Sequence, residues 1–136
     1  MYSSACKLAC PPSALPWLGH FNAPLNTSML SVVIPVLNEA PNLRDLLQEI
    51  RQALDLVVPF EIILVDDAST DDTDTLLPQL FDEFPQLRVL RHDHRSGQSA
   101  GLRTGIRAAR FEWIATLDGD GQNDPADLPK WWAARP

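Results

Sequence analysis

Four short apolar runs, separated by amphipathic segments of helix length, constrain this chain more than any other feature. "LSVVIPVL" (30–37), "FEIILVD" (60–66), "QLRVLRH" (86–92) and "EWIATLD" (112–118) are rich in β-branched residues. Such runs suit strands buried on both faces of a parallel sheet. Between the first two, Leu43, Leu46, Leu47, Ile50 and Leu54 recur at helical spacing and form one apolar stripe. A second helix is expected over 73–84 through Leu76, Leu77, Leu80 and Phe84, with Pro78 kinking it or delaying its start. "SGQSAGLRTGIRAAR" (96–110) predicts a third, with Leu102, Ile106 and Ala109 on one side. Gly101, Gly105 and Ala108 would let it sit close to the sheet, while Arg103, Arg107 and Arg110 read as a solvated face. Strand and helix alternating in this way predict an α/β domain with a mostly parallel sheet.

Right-handed crossovers bring the ends of successive parallel strands to one edge, and ligands of open α/β sheets bind there. Three polar clusters end strands in this chain: "PVLNE" (35–39), "DDAST" (66–70) and "DGDGQ" (118–122). If the strands are neighbours, the clusters converge on one cleft.

The last cluster is the most acidic. Residues two apart in an extended segment share a side, so Asp118 and Asp120 would face one ion, with Gln122 continuing the row. Gly119 and Gly121 remove side chains and permit close backbone approach. Hard oxygen ligands of this kind suit Mg²⁺ or Mn²⁺. A shared cation is also the physical way for two carboxylates to share a cleft with a diphosphate. Asp124 followed by Pro125 reads instead as the cap and first residue of a helix running toward Trp132.

Other chemistries fit less well. Counted from Asp118, an EF-hand would need Gly where Asn123 stands and Glu where Pro129 stands. A dinucleotide fold would need G-x-G-x-x-G after the first strand, where "PVLNEAPN" occurs. "IILVDDAS" resembles the acidic strand of phosphoacceptor receiver domains. Yet a full strand and helix precede Asp66, and too little chain follows Asp118 for such a domain.

A net charge of −7 argues against a nucleic-acid partner. No apolar run approaches the ~18 residues that cross a bilayer. Cys6 and Cys10, the only cysteines, read as free thiols in a reducing compartment. The first 28 residues stand apart, with Lys7 their only charged residue and four of the 12 prolines. Residues 1–28 are read as a disordered tail or a mis-assigned start outside the core, and Met29 opening directly into a strand favours the second. His92 and His94 read as members of a solvated loop after the third strand.

Taken together, "SVVIPVLNEAPNL", "EIILVDDASTDDT", "GQSAGLRTGIRAAR" and "WIATLDGDGQNDPADLP" resemble successive blocks of the family 2 glycosyltransferases. The nearest similarity is to the dolichol-phosphate mannosyltransferase and polyprenyl-phosphate sugar transferase branch. The resemblance covers residues 30 to about 130 and implies a Rossmann-like GT-A fold. It makes residues 29–136 the N-terminal, nucleotide-sugar-binding half of a domain that stops after the metal motif. It implies a UDP- or GDP-sugar donor, Mg²⁺ or Mn²⁺ as cofactor, and transfer of a hexose to a polyprenyl phosphate with inversion.

By the same resemblance, Asp118, Asp120 and Gln122 are the metal ligands of a D-x-D-x-Q motif. Asp67 contacts the base, and Pro35, Leu37 and Glu39 line the nucleotide together with Asp118, Gly119 and Asp120. Asp66 helps to hold the turn. Two positions depart from the pattern: Leu37 stands where many relatives carry Tyr, and Phe111 where Gly is usual. No further catalytic residue is expected in this chain, because the acceptor half would follow. The chain alone is expected to bind nucleotide weakly and transfer no sugar, so a nucleotide-binding remnant stays open as an alternative. A cytoplasmic setting is implied, at the inner face of a membrane reached only through the missing C-terminal part. Trp113, Trp131 and Trp132 are expected to lie near that docking point, partly exposed.

Overall fold

The computed structural model describes residues 6–8 and 28–136. In chain order the elements are β1 (Cys6–Leu8), β2 (Leu30–Val36), α1 (Ala40–Leu54), β3 (Phe60–Asp66), α2 (Thr73–Glu83), β4 (Leu87–His92), α3 (Gln98–Ala108) and β5 (Trp113–Thr116). A 3₁₀ turn (Pro125–Asp127) and α4 (Leu128–Ala134) follow. The four expected strands are present and mutually parallel, in the order β4-β3-β2-β5. β1 adds to the outer edge of β4 in antiparallel register, with Cys6 opposite His92. These three residues belong to the 1–28 stretch that the sequence sets apart as a tail. Residues 1–5 and 9–27, Cys10 included, lie outside the described residues.

Every residue of β2 and β3 is buried because helices cover both faces of the sheet. The two-residue period of a strand divides them between two cores. Val32, Ile34, Val36, Ile62 and Leu64 pack into the larger core with α1, α2 and Leu128. Val33, Ile63, Val65 and Leu90 form the smaller core, against which Leu102, Ala108 and Ala109 pack. In α1 the whole stripe of Leu43, Leu46, Leu47, Ile50 and Leu54 is buried, whereas Glu39 at its start makes no side-chain cap bond. Each such side chain contributes roughly 1.5–3 kcal/mol, so packing rather than capping holds this helix.

Two local expectations change. α2 begins at Thr73, five residues before Pro78, and runs unbroken to Glu83, so the proline does not delay it. Asp71 anchors the first turn by accepting from the Thr73 N–H at 3.1 Å and from its hydroxyl at 2.5 Å. Burial of Leu77 and Leu80 outweighs the one backbone bond a proline removes. In α3, Ile106 does not face the sheet and is 44% exposed.

The buried side of α3 is instead Gly101 and Gly105. A Cβ at position 105 would stand 2.3 Å from Val33 Cγ1, and one at 101 would stand 2.9 Å from Pro35 Cβ. Gly105→Ala is therefore expected to lower the melting temperature. The steric cost of about 1–3 kcal/mol exceeds the ~1 kcal/mol that alanine adds to helix propensity. Thermal unfolding followed by circular dichroism measures the difference, and a raised midpoint would refute the close packing.

Candidate functional site

The strand order reverses direction at β2, which has β3 on one side and β5 on the other. The carboxyl ends of these strands open into a cleft of about 430 Å³. It is lined by Pro35, Val36, Leu37 and Glu39 after β2, Asp67 after β3, and Asp118, Gly119, Asp120 and Gln122 after β5. Every residue that the sequence singles out for the nucleotide or the metal thus lines one cavity. Arg95 and Gly97, from the loop after β4, and Gln98, the first residue of α3, line it too and were missed. The signal available was positional: that loop ends a strand at the same edge as the other three clusters.

Side chains lace the loops together. Asn38, at φ 54°, accepts on Oδ1 from the Thr70 and Asp71 N–H groups at 2.8 and 3.2 Å. Its own N–H donates to Ser69 Oγ at 2.9 Å. Ala68 is held at φ 61°, a conformation that costs a non-glycine residue energy and persists only where its surroundings enforce it. Here the enforcing contact is the buried Asp66, whose Oδ1 accepts from the Ser69 N–H at 3.0 Å. That is the turn-holding task expected of Asp66.

His92 differs from expectation. It is not a solvated loop residue but the buried last residue of β4, 6% exposed. Its Nδ1 lies 2.8 Å from Asp67 Oδ1 and its Nε2 2.9 Å from Thr104 Oγ1. His94 is exposed, as expected. Asp67 also accepts from the Ser96 and Gly97 N–H groups, both at 2.8 Å. Burial pushes the Asp67 carboxyl up, but the hydrogen bonds from His92, Ser96 and Gly97 outweigh it and hold the group below the ordinary carboxylate range.

At the opposite wall the geometry differs in origin from the sequence argument. β5 ends at Thr116, so Asp118 lies just past the strand and Asp120 in the turn that follows. No continuous strand carries both to the cleft. Asp118 Oδ1 accepts from Gln98 Nε2 at 2.7 Å, and the Asp118 N–H donates to Asn123 Oδ1 at 3.0 Å. Asp120 Oδ1 accepts from the Gln122 N–H at 3.0 Å. Gly119 packs against β2, where a Cβ would stand 2.6 Å from Val36 Cγ1. Asp124 caps the 3₁₀ turn by accepting from the Ala126 N–H at 2.9 Å, with Pro125 next, as expected.

The cleft carries four carboxylates (Glu39, Asp67, Asp118, Asp120) against one guanidinium, Arg95. Among the described residues no three His, Cys, Asp or Glu side chains stand together as a metal-holding cluster. Asp118, Asp120 and the Gln122 amide nevertheless form a hard-oxygen set. Each Asp engages only Oδ1 in the hydrogen bonds found among the described residues. That donor set fits a divalent cation whose other ligands come from a bound phosphate.

Trp113 and Trp132 meet edge to face at 6.4 Å beside β5, and the Arg135 guanidinium lies 3.7 Å from the Trp132 ring centre. Trp131 is 48% exposed. Among the described residues no helix is long and apolar enough to cross a membrane.

The family model described as glycosyl transferase family 2 matches residues 31–134. The chain is 39% identical over 111 residues to a dodecaprenyl-phosphate galacturonate synthase from Rhizobium johnstonii, covering 79% of this chain and 32% of the relative. It is 38% identical over 109 residues to an undecaprenyl-phosphate 4-deoxy-4-formamido-L-arabinose transferase from Pseudomonas aeruginosa, with the same coverage. The chain therefore spans about a third of the length of the curated relatives it matches.

Among solved structures it is similar to the mannosyltransferase PcManGT from Pyrobaculum calidifontis in complex with GDP-Man and Mn²⁺. That match has a TM-score of 0.68 at 26% identity, over 88% of this chain and 37% of the other. It is also similar to S. aureus TarS 1-349 in complex with UDP-GlcNAc. There the TM-score is 0.61 at 25% identity, over 68% of this chain and 26% of the other.

Proposed function

Since this chain belongs to glycosyl transferase family 2, we propose that its cleft holds the nucleoside diphosphate of a sugar donor around a divalent cation. In this reading it is the donor-binding part of an enzyme that transfers the sugar to a polyprenyl phosphate. The observation that carries the proposal is the convergence of Pro35, Leu37, Glu39, Asp67, Asp118, Gly119, Asp120 and Gln122 on one cavity at the reversal of strand order. Relatives named as polyprenyl-phosphate sugar transferases support the acceptor class. Solved structures bound to UDP-GlcNAc, or to GDP-Man with Mn²⁺, support the donor and the metal. The comparisons give a receiver-like signalling domain no support.

Asp118, Asp120 and Gln122 would hold the cation, while the Gln98 amide orients Asp118 through its 2.7 Å bond. A bound Mg²⁺ or Mn²⁺ supplies charge neutralisation and Lewis acidity to the departing diphosphate. Asp67 meets the base, and Pro35 and Leu37 line the nucleotide. A lipid phosphate is already an anion and needs little help from a general base. Its oxygen bonds to the anomeric carbon as the bond from that carbon to the diphosphate oxygen breaks. The nucleoside diphosphate leaves with the electron pair, and the configuration inverts. A lipid acceptor would bring the whole enzyme to a membrane surface, in this reading its inner face.

Calorimetric titration of UDP and of GDP into the chain tests the donor site, with MnCl₂ or MgCl₂ and again with EDTA. Binding is expected with metal and is expected to fade with the chelator. Equal affinity in both conditions would remove the metal from the proposal. No binding in either would remove the nucleotide.

A further inference from the structure

The sheet has two edges: β5 forms one, and on the other β1 lies against β4. β4 has little of its own to keep a further strand away. Four of its six residues are buried and the other two half-buried. It contains no proline or glycine that would break a ladder. Its polar side chains, the usual guard of an edge, are engaged within the chain. Arg88 pairs with Glu61 at 2.8 Å, Arg91 with Asp74 and with Asp66 at 3.6 Å, and His92 with Asp67 at 2.8 Å.

Backbone direction fixes what an added strand meets. The Ile62 N–H donates to the Gln86 carbonyl at 2.9 Å. A parallel ladder then alternates, so the N–H groups of Arg88, Leu90 and His92 face β3, and those of Val89 and Arg91 face the outer edge. The Leu87 N–H is taken by the Phe84 carbonyl at 3.0 Å. β1 places Lys7 opposite Arg91, which makes these two the hydrogen-bonded pair of that register. Cation stands opposite cation, so backbone bonds rather than charge hold the pair. Val89 lies beyond the register of β1.

We propose that β1 is a cap built into the chain: it occupies the β4 edge and keeps a second copy of the same chain from pairing there, β4 to β4. A second copy lying antiparallel across Val89 would reach the outward N–H groups of both Val89 and Arg91, whereas the cap reaches Arg91 alone. The cap prevails because it is tethered. Intramolecular pairing acts at an effective concentration of order mM, which separate copies at micromolar concentration do not match. The cap covers Leu90 to His92, the end of β4 next to the loop of Arg95 and Gly97. Its displacement would therefore join two copies beside the cleft. The inference rests on the strand edges and is independent of what the cleft binds.

Amide hydrogen exchange, read residue by residue by NMR on the 136-residue chain, tests it. In the dilute parent the Arg91 amide is expected to be protected, since β1 is the strand that covers a group facing away from β3. Lys7→Pro removes the N–H that pairs with Arg91. It is expected to speed Arg91 exchange about tenfold or more, the scale of a lost backbone hydrogen bond. Lys7→Ala keeps that N–H and is expected to match the parent. Raising the concentration of Lys7→Pro is expected to restore protection at Arg91 and to slow exchange at Val89. A dimer should appear alongside in sedimentation velocity, with exchange in β5 unchanged.

β1 is the terminal strand, so its loss leaves the four parallel strands in place, and slow exchange in β3 shows that the variant is folded. Fast exchange of Arg91 in the dilute parent would overturn the cap, and that measurement needs no variant. Equal Arg91 exchange in Lys7→Pro and the parent would overturn it too. A Lys7→Pro chain that stays monomeric at every concentration, or that dimerises with protection gained at β5 instead, would overturn the pairing of β4 with β4.

Discussion

Asp120→Ala is expected to abolish the metal dependence of nucleotide binding while leaving the melting temperature within about 2 °C of the parent. Asp120 is exposed, and its side chain accepts one hydrogen bond, from the Gln122 N–H two residues on. Surface substitutions of that kind shift stability by about ±0.5 kcal/mol or less. Its chemical weight is much larger. In the proposed metal site Asp120 supplies one of the two carboxylates, in a cleft whose only guanidinium is that of Arg95. Losing a group that merely orients a metal ligand costs about 10–100-fold in metal affinity, and losing a ligand itself is expected to cost at least as much. Titration of MnCl₂ into the nucleotide-bound chain, beside a thermal melt, reads both quantities. Undiminished metal affinity in the variant would remove Asp120 from the site.

Glu61→Ala is expected to do the opposite: a stability loss of about 3–5 kcal/mol, the cost of breaking a buried ion pair, with no direct effect on the cleft. Glu61 is fully buried near the start of β3, at the end of the sheet away from the cleft. Oε2 pairs with Arg88 Nη1 at 2.8 Å. Oε1 accepts from Ser31 Oγ at 2.8 Å and from the Arg110 N–H at 2.9 Å. Truncation strands the Arg88 guanidinium, 11% exposed, and leaves the hydroxyl and the amide without their acceptor.

A loss that size is a large share of the ~5–15 kcal/mol that holds an ordinary domain together, so a low yield of folded variant is expected. The double variant Glu61→Leu with Arg88→Met removes both charges and is expected to recover much of the loss. Urea unfolding gives the comparison. A single variant within ~1 kcal/mol of the parent would mean that water already solvates the pair.

The two expectations separate because recognition and scaffolding sit at opposite ends of the same strands. The recognition end was largely legible. Aspartates, an asparagine, a proline and glycines interrupt apolar runs at 35–39, 66–70 and 118–122, and polarity at a strand end is visible without coordinates. The scaffolding end was not. Glu61 and Ser31 lie inside runs that read as uniformly buried, and nothing in "FEIILVD" tells whether its acid faces a cation or solvent. The pairing depends on β2, β3 and β4 lying side by side: Ser31 stands opposite Glu61, and Arg88, opposite Ile63, reaches back two residues to it.

His92 shows the same limit inside the site. As a residue between Arg91 and Asp93 it reads as part of a polar loop, and only the register of β4 against β3 carries its ring to Asp67. The turn after β5 shows a different one. Asp118 and Asp120 were expected to converge by strand alternation, yet β5 stops at Thr116, with Asp118 just past its end and Asp120 in the following turn. Composition revealed the donor groups but not the backbone that aims them.

What the sequence determined by itself is therefore what depends on neighbours along the chain. The period of the apolar residues set strand and helix, the β-branched runs set a sheet buried on both faces, and the strand-end polarity set the edge where chemistry gathers. Local steric preference and hydrophobic burial act over a few residues and leave a readable period. Tertiary structure alone decided the contacts made across tens of residues. These are Glu61 with Arg88, His92 with Asp67 and Thr104, Gln98 with Asp118, and the seating of α3 on Val33 and Val65 through Gly105. A hydrogen bond is made or lost over a few tenths of an ångström, and a precision of that order comes from packing, which no period along the chain encodes.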